Sequence, residues 1–515
     1  WDVTASPLYD NDLQFGERYD ARLEIDGWNT TGKVGGTWVK AAQANVGTLK
    51  PFASTTYPAV KIRDESEALS IGTVLGGEYK LYDFGTNSAG RAKITLKNTK
   101  PGEVVIIRYC EIIDDDVPRT DVYGDVYFQK DNYADSISPY GLRNIDVYIC
   151  KGAEEEVYMP EFAYTGFRYV YIKGYSGEYT TETVKKEELN TNLAVIGDFT
   201  SSSENLNKIW DAVKRSYRSN IVTGPTDCPT REKNFWNGDI ADFVATACWY
   251  MDNDAFLSRW TEAGEKLQYD VYGWEDEEYI LPLTLYKYYG NKDILETKYP
   301  VIQKLIARRN SQLADGSVLP TDHSPYNDHQ ATSNVPADFF AAAYYCRMYR
   351  DAAEIAGILG KESDKAEYIK KFQEAKDAFN EKYYLSESNT YTPKNQSGII
   401  LPLAFGIADS ENVQALTDTL DSYIRSSNYT LTCGFSSMEF VLGLLCDGGY
   451  ENDAWKVINC TEFPSLLNMI NSYGGGTTTE SWRSAASIVD SMNHYAIGGI
   501  TRWFFEYLGG LRIVK

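Results

Sequence analysis

Histidine is the scarcest reactive residue here, three in 515, so a zinc centre built on imidazoles has little to draw on. The eight cysteines (Cys110, Cys150, Cys228, Cys248, Cys346, Cys433, Cys446, Cys460) are scattered, with no C-x-x-C pair. That spacing excludes a zinc ribbon or a dithiol redox motif and fits buried free thiols of a cytosolic protein. Positive charge is in deficit: 50 Lys and Arg stand against 73 Asp and Glu, a net −23. Such a field repels nucleic acid and anionic lipid and favours a neutral or cationic partner. No apolar run approaches the ~20 residues of a membrane helix; the best, Ile399 to Ala408, holds a Pro and a Gly. There is no signal-peptide pattern, so a cytoplasmic protein is expected, although the chain opens at Trp1 rather than Met and an export signal could have been removed. A fixed repeat is also missing, which argues against a solenoid. Gly474-Gly-Gly476 lacks the Gly-Lys-Ser/Thr ending of a phosphate loop. Asp83-Phe-Gly85 has neither the Gly-rich loop nor the H-R-D motif of a kinase.

Aromatic side chains are abundant instead, with 40 Tyr and 11 Trp. Most must fill cores, but rings that stack on C–H faces and bond hydroxyls at their polar edge also suit a carbohydrate cleft. The length calls for at least two domains. Residues 1–195 read as β: Val104–Tyr109, Asp146–Cys150 and Phe167–Ile172 are short β-branched and aromatic runs between turns such as Pro101-Gly102. An all-β sandwich is expected there, as one module or as two small ones divided near residue 60. Asp114-Asp-Asp116 reads as an exposed acidic turn, since the alternating ligands of a calcium loop are missing. Residues 196–515 read as all-α. Ser201 and Glu204 are spaced as a capping box, and Leu206, Ile209, Trp210, Val213 and Tyr217 follow at helical intervals. Further helices are expected over Ala245–Trp260, Tyr279–Tyr289 and Phe339–Leu359, and after a cap at Ser363, ten to twelve in all.

The densest chemistry lies between Asp227 and Asp239, Asp-Cys-Pro-Thr-Arg-Glu-Lys-Asn-Phe-Trp-Asn-Gly-Asp. Three carboxylates, two cations and an indole sit on a loop between helical patterns, where a scaffold presents reactive groups. Carboxylates can move protons or accept hydrogen bonds from hydroxyls, and an indole can cover the apolar face of a pyranose. Four later stretches also concentrate such groups. They are Trp274-Glu-Asp-Glu-Glu278, Asp322-His-Ser-Pro-Tyr-Asn-Asp-His329, Gly474-Gly-Gly-Thr-Thr-Thr-Glu480-Ser-Trp482, and Asn493-His-Tyr-Ala496. The four acids before Tyr279 also suit the positive end of a helix. The Asp/His run has too few ligands for zinc and reads as a loop with Asp322 as a sugar contact.

Asp227-Cys-Pro-Thr-Arg-Glu-Lys with Trp236 and Gly238-Asp239 resembles the signature of the bacterial α-L-rhamnosidases of glycoside hydrolase family 78. Gly16-Glu-Arg-Tyr-Asp-Ala-Arg22 with Trp28, Tyr82–Asn87 with Gly90, Tyr164-Thr-Gly-Phe-Arg-Tyr169, Thr477–Glu480 and Asn493–Ala496 extend the likeness over nearly the whole chain. The resemblance implies an (α/α)6 barrel after the β region and removal of terminal α-L-rhamnose from a small glycoside or oligosaccharide with inversion. It implies Glu232 as general acid and Glu480 as general base, with carboxyl groups roughly 6.5–9.5 Å apart. Asp227, Arg231, Asp239, Asp276, Asp322 and His494 become sugar contacts, and Trp236, Trp274 and Trp482 apolar ones. Arg231 and Lys233 are expected to pair with acids other than Glu232, which must hold a proton near neutral pH. No metal, cofactor, nucleic acid or membrane is expected, and the oligomeric state is not legible. Departures from the family pattern are the loop one residue shorter before Trp236, Asn234-Phe235, Glu275 where Gly is common, and Thr479 where Trp is frequent. They leave open an inverting glycosidase for another α-linked sugar. A non-catalytic carbohydrate-binding or scaffold protein is the alternative of a different class.

Overall fold

A computed structural model of the chain describes residues 2–32, 35–43, 58–119, 144–264, 270–321, 326–482 and 490–513. The chain forms two compact units. One holds Trp1–Asn192 together with two short later segments, Cys228–Lys233 and Ile488–Asn493; the other holds Leu193–Asp227, Asn234–Ser487 and His494–Lys515.

The first unit is built on a ten-stranded sheet. Its strands are β1 (Leu8–Asp12), β2 (Gly16–Asp20), β3 (Val60–Glu67), β4 (Ser70–Val74), β5 (Tyr79–Lys97), β6 (Val104–Cys110), β7 (Ile145–Ile149), β8 (Glu155–Tyr158), β9 (Thr165–Lys173) and β10 (Val184–Thr191). The order is β1-β2-β7-β6-β9-β5-β10-β3, with β4 and β8 also on β5, so strands from both sides of residue 60 share one sheet. Only β2 and β7 run parallel among these pairs, Arg18 opposite Val147. Period-two alternation divides the side chains between the faces. Val105, Ile107, Val170 and Ile172 enter the main core with Tyr82, Ile94 and Phe167, while Cys110 and Tyr171 meet Val74 and Tyr79 on the other face. Each such aliphatic or aromatic side chain contributes about 1.5–3 kcal/mol by leaving water. Edge strand β3 carries Lys61, Arg63, Asp64, Glu65 and Glu67 and is largely exposed, a charge pattern that discourages pairing with another chain.

The second unit is helical. Its segments include α1 (Glu204–Ser219), α2 (Asn237–Ala241), α3 (Val244–Tyr250), α4 (Asp254–Gly264), α5 (Glu277–Tyr289), α6 (Lys292–Ser311), α7 (Ala337–Ile358), α8 (Glu362–Tyr383), α9 (Gln396–Ala404), α10 (Val413–Ser426), α11 (Phe435–Met438), α12 (Val441–Asp447), α13 (Glu451–Ile458) and α14 (Leu466–Tyr473). Consecutive helices pack as hairpins, α5 on α6, α7 on α8, α9 on α10 and α12 on α13, and α14 packs back on α1. That return contact closes the ring of helices into the barrel the resemblance implied. Helix α1 buries Leu206, Ile209, Trp210, Val213 and Tyr217, one stripe at helical spacing. Its cap is Ser203, whose side chain accepts from Leu206 N, and not the expected Ser201, which serves Ser203 N and the Asn207 amide. Ser363 likewise is no cap, because α8 already starts at Glu362. The single helix expected over Ala245–Trp260 breaks at Met251–Asn253. Asn253 donates its side-chain amide to Ala247 O and Met251 O, ending α3, and α4 begins afresh. No helix among the described residues is long and apolar enough to cross a membrane. All eight cysteines are free, six buried and Cys446 and Cys460 half-buried.

Candidate active site

In the helical unit, the loop opening at Asp227 has its two feet tied together. Asp227 N donates to Asn234 O (3.0 Å), and Asp227 Oδ1 accepts from Asn234 N (2.8 Å). The chain then turns into α2, preceded by the half-buried Trp236, with Asp239 buried in its first turn. Gly238 is required here, since a Cβ would lie 2.7 Å from the Trp274 indole. His494 sits opposite, its Nε2 3.0 Å from Asp239 Oδ1, both groups buried. Burial alone would lower the His494 pKa. The hydrogen bond and charge of Asp239, with Glu480 and Asp227 behind them, more than offset that and raise it above 6.5. Ala496 N lies 3.3 Å from Nδ1, a long contact that favours the neutral ring; the shorter Asp239 pair outweighs it.

The Glu480 turn is anchored to the same neighbourhood. Gly474 ends α14 at φ +69° and Gly476 follows at +71°, left-handed positions that glycine takes without strain. Ser216 of α1 accepts from Thr478 N (2.9 Å), and Thr478 receives His494 N on its carbonyl (2.9 Å) and donates its hydroxyl to His494 O (2.6 Å). The carboxylate of Glu480 is almost covered, with Oε1 3.9 Å from His329 Nε2. Trp482 is buried behind it and donates Nε1–H to Cys433 O (3.2 Å).

A run of rings forms one wall. Trp236 lies 6.0 Å from Tyr326, Tyr326 5.0 Å from Trp274, Trp274 5.5 Å from His329, His329 5.4 Å from Phe435, and Phe435 5.2 Å from His494. Asp328 fixes the segment that carries Tyr326 and His329. It is fully buried and accepts from Ser397 Oγ (2.5 Å), Gly434 N (2.9 Å) and Ser437 Oγ (2.7 Å). Gly434 admits no side chain, since a Cβ would fall 2.2 Å from His329 O.

The acids before α5 are a buried charge cluster rather than a solvated helix start. Glu275 pairs with Arg308 and Arg309 (3.3 Å to the latter), and Glu278 lies 3.6 Å from the fully buried Lys298. Arg309 in turn stacks 3.8 Å from the Tyr272 ring. Asp276 is 0% exposed, and its Oδ2 accepts from Gly273 N (2.6 Å). The side chain thereby shapes the turn that carries Trp274.

In the β-rich unit, the Cys228–Lys233 segment is held by its backbone. Pro229 O accepts from Gly166 N (2.9 Å), Thr230 O from Asn144 Nδ2 (3.3 Å) and Glu232 O from Gln14 Nε2 (3.0 Å). A Cβ at Gly166 would lie 2.4 Å from Pro229. Lys233, at φ +48°, turns inward and donates to Leu13 O (2.7 Å), Tyr164 O (2.7 Å) and Asn144 Oδ1 (3.0 Å). Burial pulls its pKa down to about 7 against the pull of Asp146. Glu232 points the other way, its side chain 34% exposed and 3.1 Å from Arg231. The expectation that Arg231 and Lys233 pair with other acids is corrected: Lys233 is drawn into the interior onto three uncharged oxygens, and the neighbouring guanidinium meets Glu232 itself. Asp322 lies outside the described residues. Sequence reasoning missed Tyr326 and Phe435, and it read His329 only as a weak metal ligand; nothing in the local pattern marks Phe435.

Residues 194–508 match the bacterial alpha-L-rhamnosidase six-hairpin glycosidase domain, and residues 74–190 the bacterial alpha-L-rhamnosidase concanavalin-like domain. The chain belongs to the bacterial alpha-L-rhamnosidase family. Within that family it is 28% identical, over 99% of its length, to an alpha-L-rhamnosidase of Streptomyces avermitilis, of which it spans 50%. The crystal structure of the Streptomyces avermitilis alpha-L-rhamnosidase complexed with L-rhamnose gives a TM-score of 0.87 at 26% identity, covering 98% of this chain and 49% of that one. The alpha-L-rhamnosidase of Dictyoglumus thermophilum gives 0.90 at 27% identity, covering 99% and 58%. The chain thus spans about half the length of the curated relatives it matches.

Proposed function

We propose that this chain hydrolyses glycosides bearing terminal α-L-rhamnose, with inversion at the anomeric carbon. Family membership supports the chemistry, and the observation that carries it is the buried Asp239–His494 pair beside Glu480 and the ring wall. Glu232 donates a proton to the glycosidic oxygen as the C–O bond breaks. Glu480 takes a proton from the water that attacks the anomeric carbon from the opposite face. Asp227, Asp239 and His494 hold ring hydroxyls, Arg231 steadies the bound sugar beside Glu232, and Trp236 with Tyr326 covers the apolar face and methyl group of the deoxy-sugar. Trp274 and Trp482 add apolar contacts to the sugar, and Asp322 adds a further hydroxyl contact.

The test is hydrolysis of a chromogenic α-L-rhamnoside, with NMR of the first sugar released. Release of β-L-rhamnose, lost in Glu232→Gln and Glu480→Gln, supports reaction, stereochemistry and roles together. Activity on another α-glycoside but not on the rhamnoside moves the specificity; no hydrolysis of any glycoside leaves a carbohydrate-binding or scaffold protein.

A further inference from the structure

His329 is built into its place more firmly than a lining residue needs to be. Its carbonyl accepts from Phe435 N (3.0 Å), the preceding Asp328 is locked by the three side-chain and backbone donors named above, and Gly434 lies against both carbonyls. The ring is bracketed edge-on by Trp274 (90°), Tyr326 (71°) and Phe435 (78°), which leave it little freedom to rotate. It is nevertheless 28% exposed, and the Nε2 edge is the one turned to Glu480 Oε1 at 3.9 Å. The amide of Gln330 lies 3.4 Å from the same nitrogen. A rigid, half-open imidazole aimed at a nearly covered carboxylate is an unusual use of one of only three histidines.

We propose that His329 is a positioning residue for Glu480, fixing its carboxylate and favouring the charged, proton-accepting form. This rests on the base role given to Glu480 above. An imidazolium 3.9 Å away favours the carboxylate over the carboxylic acid. His329 itself accepts no proton from the water: that proton goes to Glu480, and the glycosidic oxygen receives its own from Glu232. Charged groups near Glu480 include His329 and His494, the latter already paired to Asp239. The rings of Trp274, Tyr326 and Phe435 face His329 without charge, and Asp328 is turned into its own hydrogen bonds.

Two measurements on the full chain test this. First, kcat and KM on a chromogenic α-L-rhamnoside are followed from pH 4 to 8 for wild type, His329→Ala and His329→Gln. Expected for His329→Ala is a kcat loss of roughly 10–100-fold with KM changed less than about 2-fold, and an acid limb moved up by roughly half a pH unit or more. His329→Gln should regain part of kcat but keep the displaced limb, because it can hold the carboxylate but not charge it. A KM change alone, or a limb that stays put in both variants, overturns the proposal. Second, crystal structures of wild type, His329→Ala and His329→Gln record the Glu480 carboxylate, which needs no turnover. A carboxylate displaced in His329→Ala and restored in His329→Gln supports the positioning; one unmoved in both variants overturns it. A wild type inactive on rhamnosides sinks the reading of substrate, yet the crystal structures still decide the positioning of Glu480.

Discussion

The two carboxylates assigned to catalysis are held by opposite means. Glu232 is presented by main chain. Its segment is bonded through the carbonyls of Pro229, Thr230 and Glu232 and pinned by the buried Lys233, while the carboxylate stays a third exposed beside Arg231. Glu480 is presented by side chains. It is nearly covered, its turn is tied by the Ser216 and Thr478 hydroxyls to α1 and to the main chain of His494, and the imidazole of His329 lies 3.9 Å from its carboxylate. A proton donor set on a rigid loop tolerates side-chain change around it but not added bulk beneath it. A base set in a polar cluster tolerates little change of charge. The contrast matches the two roles proposed above, an acid that meets a variable leaving group and a base that meets one water.

The largest effect should separate the two roles by leaving group. Glu232→Gln is expected to lower kcat by about 10²–10⁴ on an alkyl rhamnoside. With a dinitrophenyl leaving group, which departs without protonation, it should lose far less. Glu480→Gln should lose a similar factor on both substrates. Stopped assays with the two substrates check this, and equal losses for both variants would erase the assigned difference.

Next are the two glycines that allow each arrangement. Gly166→Ala drives a Cβ to 2.4 Å from Pro229, and Gly434→Ala one to 2.2 Å from His329 O. Each should cost about 1–3 kcal/mol of stability, seen in urea unfolding. In kinetics, Gly166→Ala should mimic the leaving-group dependence of Glu232→Gln, and Gly434→Ala the indifference of Glu480→Gln. Lys233→Met is expected to destabilise by about 1–3 kcal/mol, because the carbonyls of Leu13 and Tyr164 lose a buried donor, and calorimetry checks it.

The smallest effect is a pH dependence on the Glu480 side. The folded pKa of His494 is raised above 6.5, so its stabilisation is fully present below that value and fades as pH rises through the raised one. The melting temperature of wild type should therefore exceed that of His494→Asn most at acidic pH, with the gap narrowing toward alkaline pH. A gap that widens as pH rises would reverse the sign.

Much of this was legible in the chain because it is written locally. The motif Asp227–Asp239 needs a proline-broken loop and a glycine at 238, and those are residue-level requirements. Strand and helix periods likewise marked β6, β9 and α1, since burying one face enforces the pattern. Cap positions were read less well: Ser203 and Ser201 are both competent, and only the neighbouring Asn207 decides between them.

What the sequence determined alone is the division into a β-rich and a helical region and the family. Those follow from periodicity and from short motifs. What only the tertiary structure decided is which way each side chain faces and what it meets. Lys233 turns inward because three oxygens from loops distant in the chain await it, leaving Arg231 to Glu232. Asp276 is sealed beneath Gly273, while Tyr326, His329 and Phe435 are gathered into one wall from segments more than a hundred residues apart. Such contacts depend on the packing of remote elements, and no local spacing encodes them.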